Sequence, residues 1–309
     1  MKRQKYDFHE ELKAYENMNI PIIPFIIPFL QKLMGVLYWM ERSDREMKVT
    51  SKWIPTADNS KVRIIIYEPK TAVENGPALL YMHGGGFAFQ AAPHHFGGAK
   101  KLAKALGCKV VFVDYRLAPK HKFPAAPLDS FSAYQWMLSY ARELEIDSTR
   151  IAVGGDSAGG NLAAVICLMA KECEIQMPKA QLLIYPFTDR RMRTESMKRF
   201  TATPMCNSMD MKKYLQMYVG EIAPSQVPYL SPAEAKSFEG LPRAYVEVAQ
   251  YDCLRDEGIE YAKLLKEAGV SVELHEVFGA MHGYDIAEKS GILKDCTEKR
   301  VRFLKGSLK

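Results

Sequence analysis

Several absences narrow what this chain can be. Its six cysteines (Cys108, Cys167, Cys173, Cys206, Cys253 and Cys296) make no C-x-x-C pair and follow no regular spacing. No histidine stands at ligand spacing from any of them. A disulfide framework, a dithiol redox motif and a zinc site are therefore not expected. Cys108 and Cys167 lie among apolar residues and read as small buried hydrophobes. A reduced, cytoplasmic protein is the expectation. Strong charge is also missing: the formal net charge is +6 over 309 residues, and the lysines are scattered. The densest basic stretch, Arg190-Arg191-Met192-Arg193 followed by Lys198-Arg199, reads as a solvated face, and no nucleic-acid partner is expected. His94 and His95 are adjacent, so on a regular element they should diverge, and metal binding is not expected of them.

No long apolar run goes uninterrupted. Residues 20–40 come nearest, but Pro21, Pro24 and Pro28 break the run and Gln31-Lys32 interrupts it. A membrane-spanning helix needs about twenty apolar residues without frequent breakers. Glu10, Glu11 and Glu16 precede the run and no small-residue cleavage site follows, which argues against a signal peptide. The segment reads as an apolar lid that folds over a pocket, with an interfacial patch leaning on lipid as the second reading. There is no repeat, no low-complexity tract and no linker-like shift in composition. One large α/β domain over 1–309 is expected, with 48% hydrophobic residues to build its core.

What is present is alternation. Short apolar runs at 62–67, 79–82, 110–114, 151–154, 181–185, 244–249 and 272–277 read as strands, with amphipathic helices between several of them. In the helix expected over 130–144, Phe131, Tyr134, Leu138 and Ala141 share a face. This pattern predicts a mostly parallel sheet covered by helices on both faces. Residues 188–235 interrupt it. They hold many methionines and aromatics and no good strand, and suit an adaptable apolar cover over a pocket.

Gly155-Asp156-Ser157-Ala158-Gly159 follows the run Ile151-Ala152-Val153 and opens at once onto a helix-forming stretch. Such a strand-to-helix turn is a nucleophile elbow. The flanking glycines leave room for it, and the strained serine lifts its Oγ clear of the sheet. Upstream, the strand at 79–82 ends in His83-Gly84-Gly85-Gly86-Phe87. A backbone stripped of side chains can bring N–H groups against a ligand oxygen, as one half of an oxyanion hole, with Ala158 supplying the other half.

A serine nucleophile needs a base, and the base needs an orienting group. In this arrangement they follow in the order serine, acid, histidine. After the serine only His275 and His282 remain. His275 falls inside a strand, whereas His282 lies in the loop just past it and is preferred. The acid should follow the strand at 244–249. Asp252 stands nearest its end, with Asp256 as the alternate. Asp256 and Glu257 read as an acidic first turn of the next helix.

Together these segments resemble the hormone-sensitive-lipase-like family of α/β-hydrolases, of the bacterial carboxylesterase type. The resemblance is carried by His83–Phe87, by Asp114-Tyr115-Arg116-Leu117-Ala118-Pro119 with Phe123-Pro124-Ala125-Ala126, by Gly155-Asp156-Ser157-Ala158-Gly159-Gly160-Asn161, and by the region from Asp252 to Gly258 followed by His282-Gly283-Tyr284. It spans the chain from about residue 78 onward. It implies an α/β-hydrolase fold, Ser157 as nucleophile, Asp252 as acid and His282 as base. It also implies oxyanion donors at Gly85, Gly86 and Ala158, with Gly84 beside them, and a cap built from about 1–45 and about 190–230. The expected activity is hydrolysis of short- to medium-chain acyl esters without cofactor or metal. The expected partner is a small-molecule ester, and a homodimer is left open. A deacetylase, amidase or lipase on the same scaffold is the alternative. A non-catalytic binding protein would have lost the histidine that His282 supplies here.

Overall fold

The computed structural model describes residues 6–309. Residues 1–5 of the expected cap, and the side chains of 37–40, lie outside what is described. Among the described residues the strands are β1 (Met47–Pro55), β2 (Lys61–Pro69), β3 (Gly76–Met82), β4 (Lys109–Asp114), β5 (Ile146–Asp156), β6 (Ala180–Ile184), β7 (Arg243–Tyr251) and β8 (Val272–Met281). They form one sheet in the order β1-β2-β4-β3-β5-β6-β7-β8. β1 and β2 are antiparallel additions, and from β4 to β8 every pairing is parallel.

The parallel part follows from composition. Val111 and Val113 of β4, with Leu80 and Met82 of β3, point to one core, while Val110, Phe112, Leu79 and Tyr81 point to the other. Strands buried on both faces need apolar residues at successive positions, which is why they read as continuous runs. Each fully buried aliphatic side chain contributes about 2 kcal/mol.

β1 was not foreseen. Its residues are mostly exposed, in the pattern expected of a short-sided edge, and Lys48, Ser51 and Lys52 dilute the apolar signal. The hairpin turn that follows is held by Asp58, which accepts from the Thr56 hydroxyl at 2.6 Å, and by Asn59 at φ 58°. The helix expected over 130–144 spans Ala125–Ser139 instead. Phe131 and Tyr134 are buried as predicted, and Leu138 and Ala141 pack at the core edge.

The helix Ala158–Glu172 is apolar on every side and buried from Ala158 to Ala170. Such a helix must be covered all round. The sheet covers one side. The helices Ala125–Ser139 and Val227–Leu230, the latter from the interrupting segment, cover much of the rest. Residues 188–235 contain no strand, and Ser208–Tyr218 forms a helix that buries Met211, Tyr214, Met217 and Tyr218. The N-terminal segment departs from the expectation that it buries its apolar residues. Ile22 and Ile27 are buried, but Phe25, Phe29, Leu33 and Val36 face outward at 56–83% exposure. The helix Ile27–Met40 lies as a single layer on the molecule, so residues spaced by three or four along its far side meet solvent.

Gly159 marks where the fold has least slack. A Cβ there would strike the carbonyl carbon and oxygen of Met82 and the carbonyl oxygen of His83, all of them backbone atoms that cannot rotate away. Gly159→Ala is expected to destabilise the protein by about 3 kcal/mol. The denaturant unfolding midpoint checks this, and a change below half that size contradicts the packing argument.

Candidate active site

Parallel strands present their carboxyl ends together, so the segments that follow β3, β5, β7 and β8 converge on one edge of the sheet. Ser157 follows β5 at φ 53° and ψ −115°, a left-handed conformation held by its N–H on the Ile184 carbonyl at 2.8 Å. Non-glycine residues rarely adopt it, and the strain costs about 1–3 kcal/mol. The turn places the hydroxyl 2.8 Å from His282 Nε2. His282 Nδ1 lies 2.7 Å from Asp252 Oδ2. Asp252 is fully buried, and its other oxygen accepts the Leu254 N–H at 2.9 Å. Ser157 and His282 are each 7% exposed, so the line of three groups lies under cover.

The alternates go elsewhere. His275 stacks on Tyr245 at 4.8 Å, and its nearest carboxylate is Glu273, at 3.8 Å. Asp256 accepts the Ser196 N–H at 2.7 Å and pairs with Arg255. Ser196 in turn donates to the Cys253 carbonyl and accepts the Asp256 N–H, which ties the turn after Asp252 to the segment above it.

Burial would lower the His282 imidazole, but the Asp252 carboxylate beside it overrides this and lifts it to about 9. The Tyr185 ring packs against the imidazole with centroids 4.9 Å apart. The Tyr185 hydroxyl donates to Asp285 at 2.7 Å, and Asp285 pairs with the buried Arg300, which also binds the fully buried Glu247. This polar cluster braces the wall behind His282. Nothing in the sequence marked it, because its members are far apart in the chain.

The glycine loop adopts backbone angles closed to most residues, with φ of 113° at Gly85 and 60° at Gly86. The Gly85 carbonyl accepts from Ala88 and Phe89 and so turns back into the loop. The Gly84 N–H donates to Asp156 Oδ2 at 3.0 Å, which commits that donor. Gly85, Gly86 and Ala158 remain as the expected oxyanion donors, the last of these at a helix N-terminus whose first N–H groups have no intrahelical partner. His83 is fully buried and stacked on Tyr115 at 4.5 Å. Burial pushes its imidazole down to about 3, which suits a holding role. Arg116 binds Asp129 and Asp58, and Asp114 pairs with Arg63. Arg116 thus ties the segment after β4 to the helix Ala125–Ser139 and to the β1–β2 turn, while Asp114 links the paired strands β4 and β2.

His94 and His95 do not diverge. Both occupy the start of the helix Pro93–Leu106, with ring centroids 4.0 Å apart, and His95 Nε2 reaches Asp156 at 3.2 Å. The basic run is partly neutralised, with Arg191 bound to Asp189 and Arg190 to Glu234. Five of the six cysteines are buried, all six are free, and Cys173 is exposed.

Two segments cover the serine end of the sheet. The ring of Tyr214 lies so close on Gly86 that a Cβ there would overlap it. Phe87 stacks on Tyr218 at 4.1 Å. From the N-terminal helix, Gln31 Nε2 donates to the carbonyls of Ala88 and Ala118, each at 2.7 Å. The two covering segments meet where the Met205 N–H donates to the Met18 carbonyl. The root of the 188–235 segment is held by Glu257, whose buried carboxyl accepts the N–H groups of Thr188 and Asp189. Burial pushes that carboxyl well above its usual range.

A strained serine on a strand-to-helix turn, a buried histidine and carboxylate in line, and a covered parallel sheet together define a hydrolase of the α/β type. A family model described as the alpha/beta hydrolase fold matches residues 79–286. The chain belongs to that family, in its hormone-sensitive-lipase-like branch. It is 38% identical over 242 residues to Esterase LipI of Mycobacterium tuberculosis, covering 77% of this chain and 75% of that protein. It is 32% identical over 260 residues to the ethyl acetate hydrolase of Pseudomonas putida, covering 83% and 81%. Among solved structures, a bacterial heroin esterase superposes with a TM-score of 0.90 at 32% identity over 98% of both chains. The protein is an enzyme of the carboxylesterase class. Among the described residues, no helix is long and apolar enough to cross a membrane.

The lifted imidazole fixes a pH dependence. His282, the expected base, must be unprotonated to act, so kcat/KM should rise with pH through its pKa. Its acid limb should lie above the ordinary imidazole value of about 6.5. Asp252→Asn removes the charge that raises it. It should shift the limb down by about one unit or more and lower kcat on the order of ten-thousandfold, while Asp256→Asn leaves the limb in place. Stopped-assay pH profiles of the three proteins check this.

Proposed function

We propose that this protein is a serine carboxylesterase for esters of short- to medium-chain acids, acting through an acyl-enzyme and needing no cofactor. The observation that carries the reading is the hydrogen-bonded line from Ser157 Oγ through His282 to Asp252. His282 Nε2 takes the Ser157 proton as Oγ attacks the ester carbonyl. Asp252 keeps the imidazole proton on Nδ1 and stabilises the cation that forms. The N–H groups of Gly85, Gly86 and Ala158 receive the oxyanion, and His282 then protonates the departing alkoxide. Water enters and repeats the sequence on the acyl-enzyme, which returns the serine.

The cap in this reading is built from about 1–45 and about 190–230. Tyr214 against Gly86, and Phe87 against Tyr218, set aromatic walls close to the reacting carbon, which supports a preference for compact acyl groups. The relative named ethyl acetate hydrolase is consistent with a small ester. The six free thiols support a reducing, cytoplasmic location. The outward stripe of Phe25, Phe29, Leu33 and Val36 favours one second reading, contact with a lipid surface.

A ladder of p-nitrophenyl esters, run beside matched amides and acetylated sugars, tests the substrate class. Turnover should peak at short to medium acyl chains and stay low on amides. It should not jump when substrate passes its solubility limit or when vesicles are added. Such a jump, with co-sedimentation, selects the lipid reading. Ser157→Ala should lower kcat by about a millionfold, and a fluorophosphonate should add once per chain, on Ser157. An adduct mapped to another residue by mass spectrometry defeats the proposed mechanism.

A further inference from the structure

We infer that Asp156, between Gly155 and Ser157, is a positioning residue that straps the oxyanion loop to the nucleophile, with His95 as its dedicated hydrogen-bond donor. The inference rests on the serine-hydrolase reading above.

The Asp156 side chain turns away from Ser157 and is only 5% exposed. Three donors converge on it. The Gly84 N–H reaches Oδ2 at 3.0 Å, His95 Nε2 reaches the same oxygen at 3.2 Å, and the Tyr81 hydroxyl reaches Oδ1 at 2.9 Å. His95 Nδ1 accepts the Ala92 N–H at 2.9 Å, so the ring carries its proton on Nε2, facing the carboxylate. Burial alone would raise the Asp156 carboxyl, but the neighbouring His95 and the Tyr81 hydroxyl override it and hold the group ionised, well below the usual range. A Cβ on Gly84 would overlap Asp156 Oδ2, so only glycine permits the approach.

The consequence is geometric. Asp156 is covalently joined to Ser157 and Gly84 to Gly85. The hydrogen bond from Gly84 to Asp156 therefore ties the nucleophile directly to the donors that must receive the oxyanion, beside the packing of Gly159 on the end of β3. Gly84, Gly85 and Gly86 have no side chains with which to fix themselves, and Gly85, Gly86 and Phe87 all hold positive φ. The loop needs an external anchor to stay in that conformation. The Tyr115 hydroxyl supplies one on the His83 carbonyl at 2.7 Å. Asp156 supplies the anchor that refers to the serine. Oxyanion donors act only within a few tenths of an ångström of their best distance, and a displacement of about 1 Å can cost a hundredfold.

The test compares Asp156→Ala, Asp156→Asn and Tyr81→Phe on p-nitrophenyl butyrate, with active sites counted by covalent phosphonate titration run to completion. Asp156→Ala should lower kcat per titrated site about a hundredfold with KM within about threefold, and weaken an alkyl boronic acid in parallel. Asp156→Asn keeps an acceptor for Gly84 and His95 and should recover most of that loss, remaining about tenfold below wild type. Tyr81→Phe should fall a few-fold. A purely structural role would instead lower the melting temperature and the titratable fraction, with kcat per site unchanged. The inference is overturned if kcat per site in Asp156→Ala stays within threefold of wild type. Should that variant fail to fold, the same result in Asp156→Asn overturns it. An Asn variant as slow as a folded Ala variant also overturns it. Failure of the underlying hydrolase reading appears separately, in the wild-type protein, as no ester turnover or an adduct away from Ser157.

Discussion

The start of the helix Ala158–Glu172 packs directly on the backbone carbonyls at the end of β3. Gly155 and Gly159 both face the Met82 carbonyl with no room for a methyl group. This contact decides the rest. It holds the two central strands close enough for Ser157 to be forced into its strained turn. It also sets the glycine loop after β3 beside the serine. The same contact explains why the helix is apolar throughout, since it runs through the middle of the molecule and has no face left for water. The strained turn at Ser157 is a by-product of tight packing between a strand end and a helix start.

Around that centre, charge is placed where the low dielectric makes it effective. Asp252 is buried and takes one backbone N–H besides the imidazole, so its field acts on His282 with little competition from solvent. Asp156 lies on the other side of the nucleophile with three donors of its own. The two carboxylates thus have separate partners, Asp252 the His282 imidazole and Asp156 the glycine loop. Arg300, Glu247 and Asp285 form a further closed set behind Tyr185, in which the buried Arg300 is paired with the buried Glu247 and the half-buried Asp285.

The cover is coupled to the chemistry through its roots. Ser196 and Asp256 bond each other reciprocally across the turn that carries Asp252, and Glu257 holds the first residues of the same segment. Tyr214 and Tyr218 rest on the glycine loop itself. A change in the cover therefore reaches the acid turn and the oxyanion loop without passing through the substrate. Asp256, a candidate acid by its place in the sequence, acts in this joint.

Local chemistry was legible in the sequence wherever a short motif dictated its own geometry. The turn around Ser157, the glycine loop and the parallel core strands follow from glycine placement and from apolar runs buried on two faces. β1 escaped notice because an edge strand with lysines on its open side lacks the pattern that burial imposes. The outward stripe at Phe25, Phe29, Leu33 and Val36 was misjudged because apolar content does not say how many layers cover a helix. Asp156 and His95 could not be found at all. A residue beside Ser157 and a histidine sixty-one positions away come within hydrogen-bond reach only when β3, β5 and the helix Pro93–Leu106 converge. The sequence by itself determined which atoms could do chemistry. Tertiary structure decided which of them meet, because hydrogen bonds between distant segments depend on packing that no local pattern encodes.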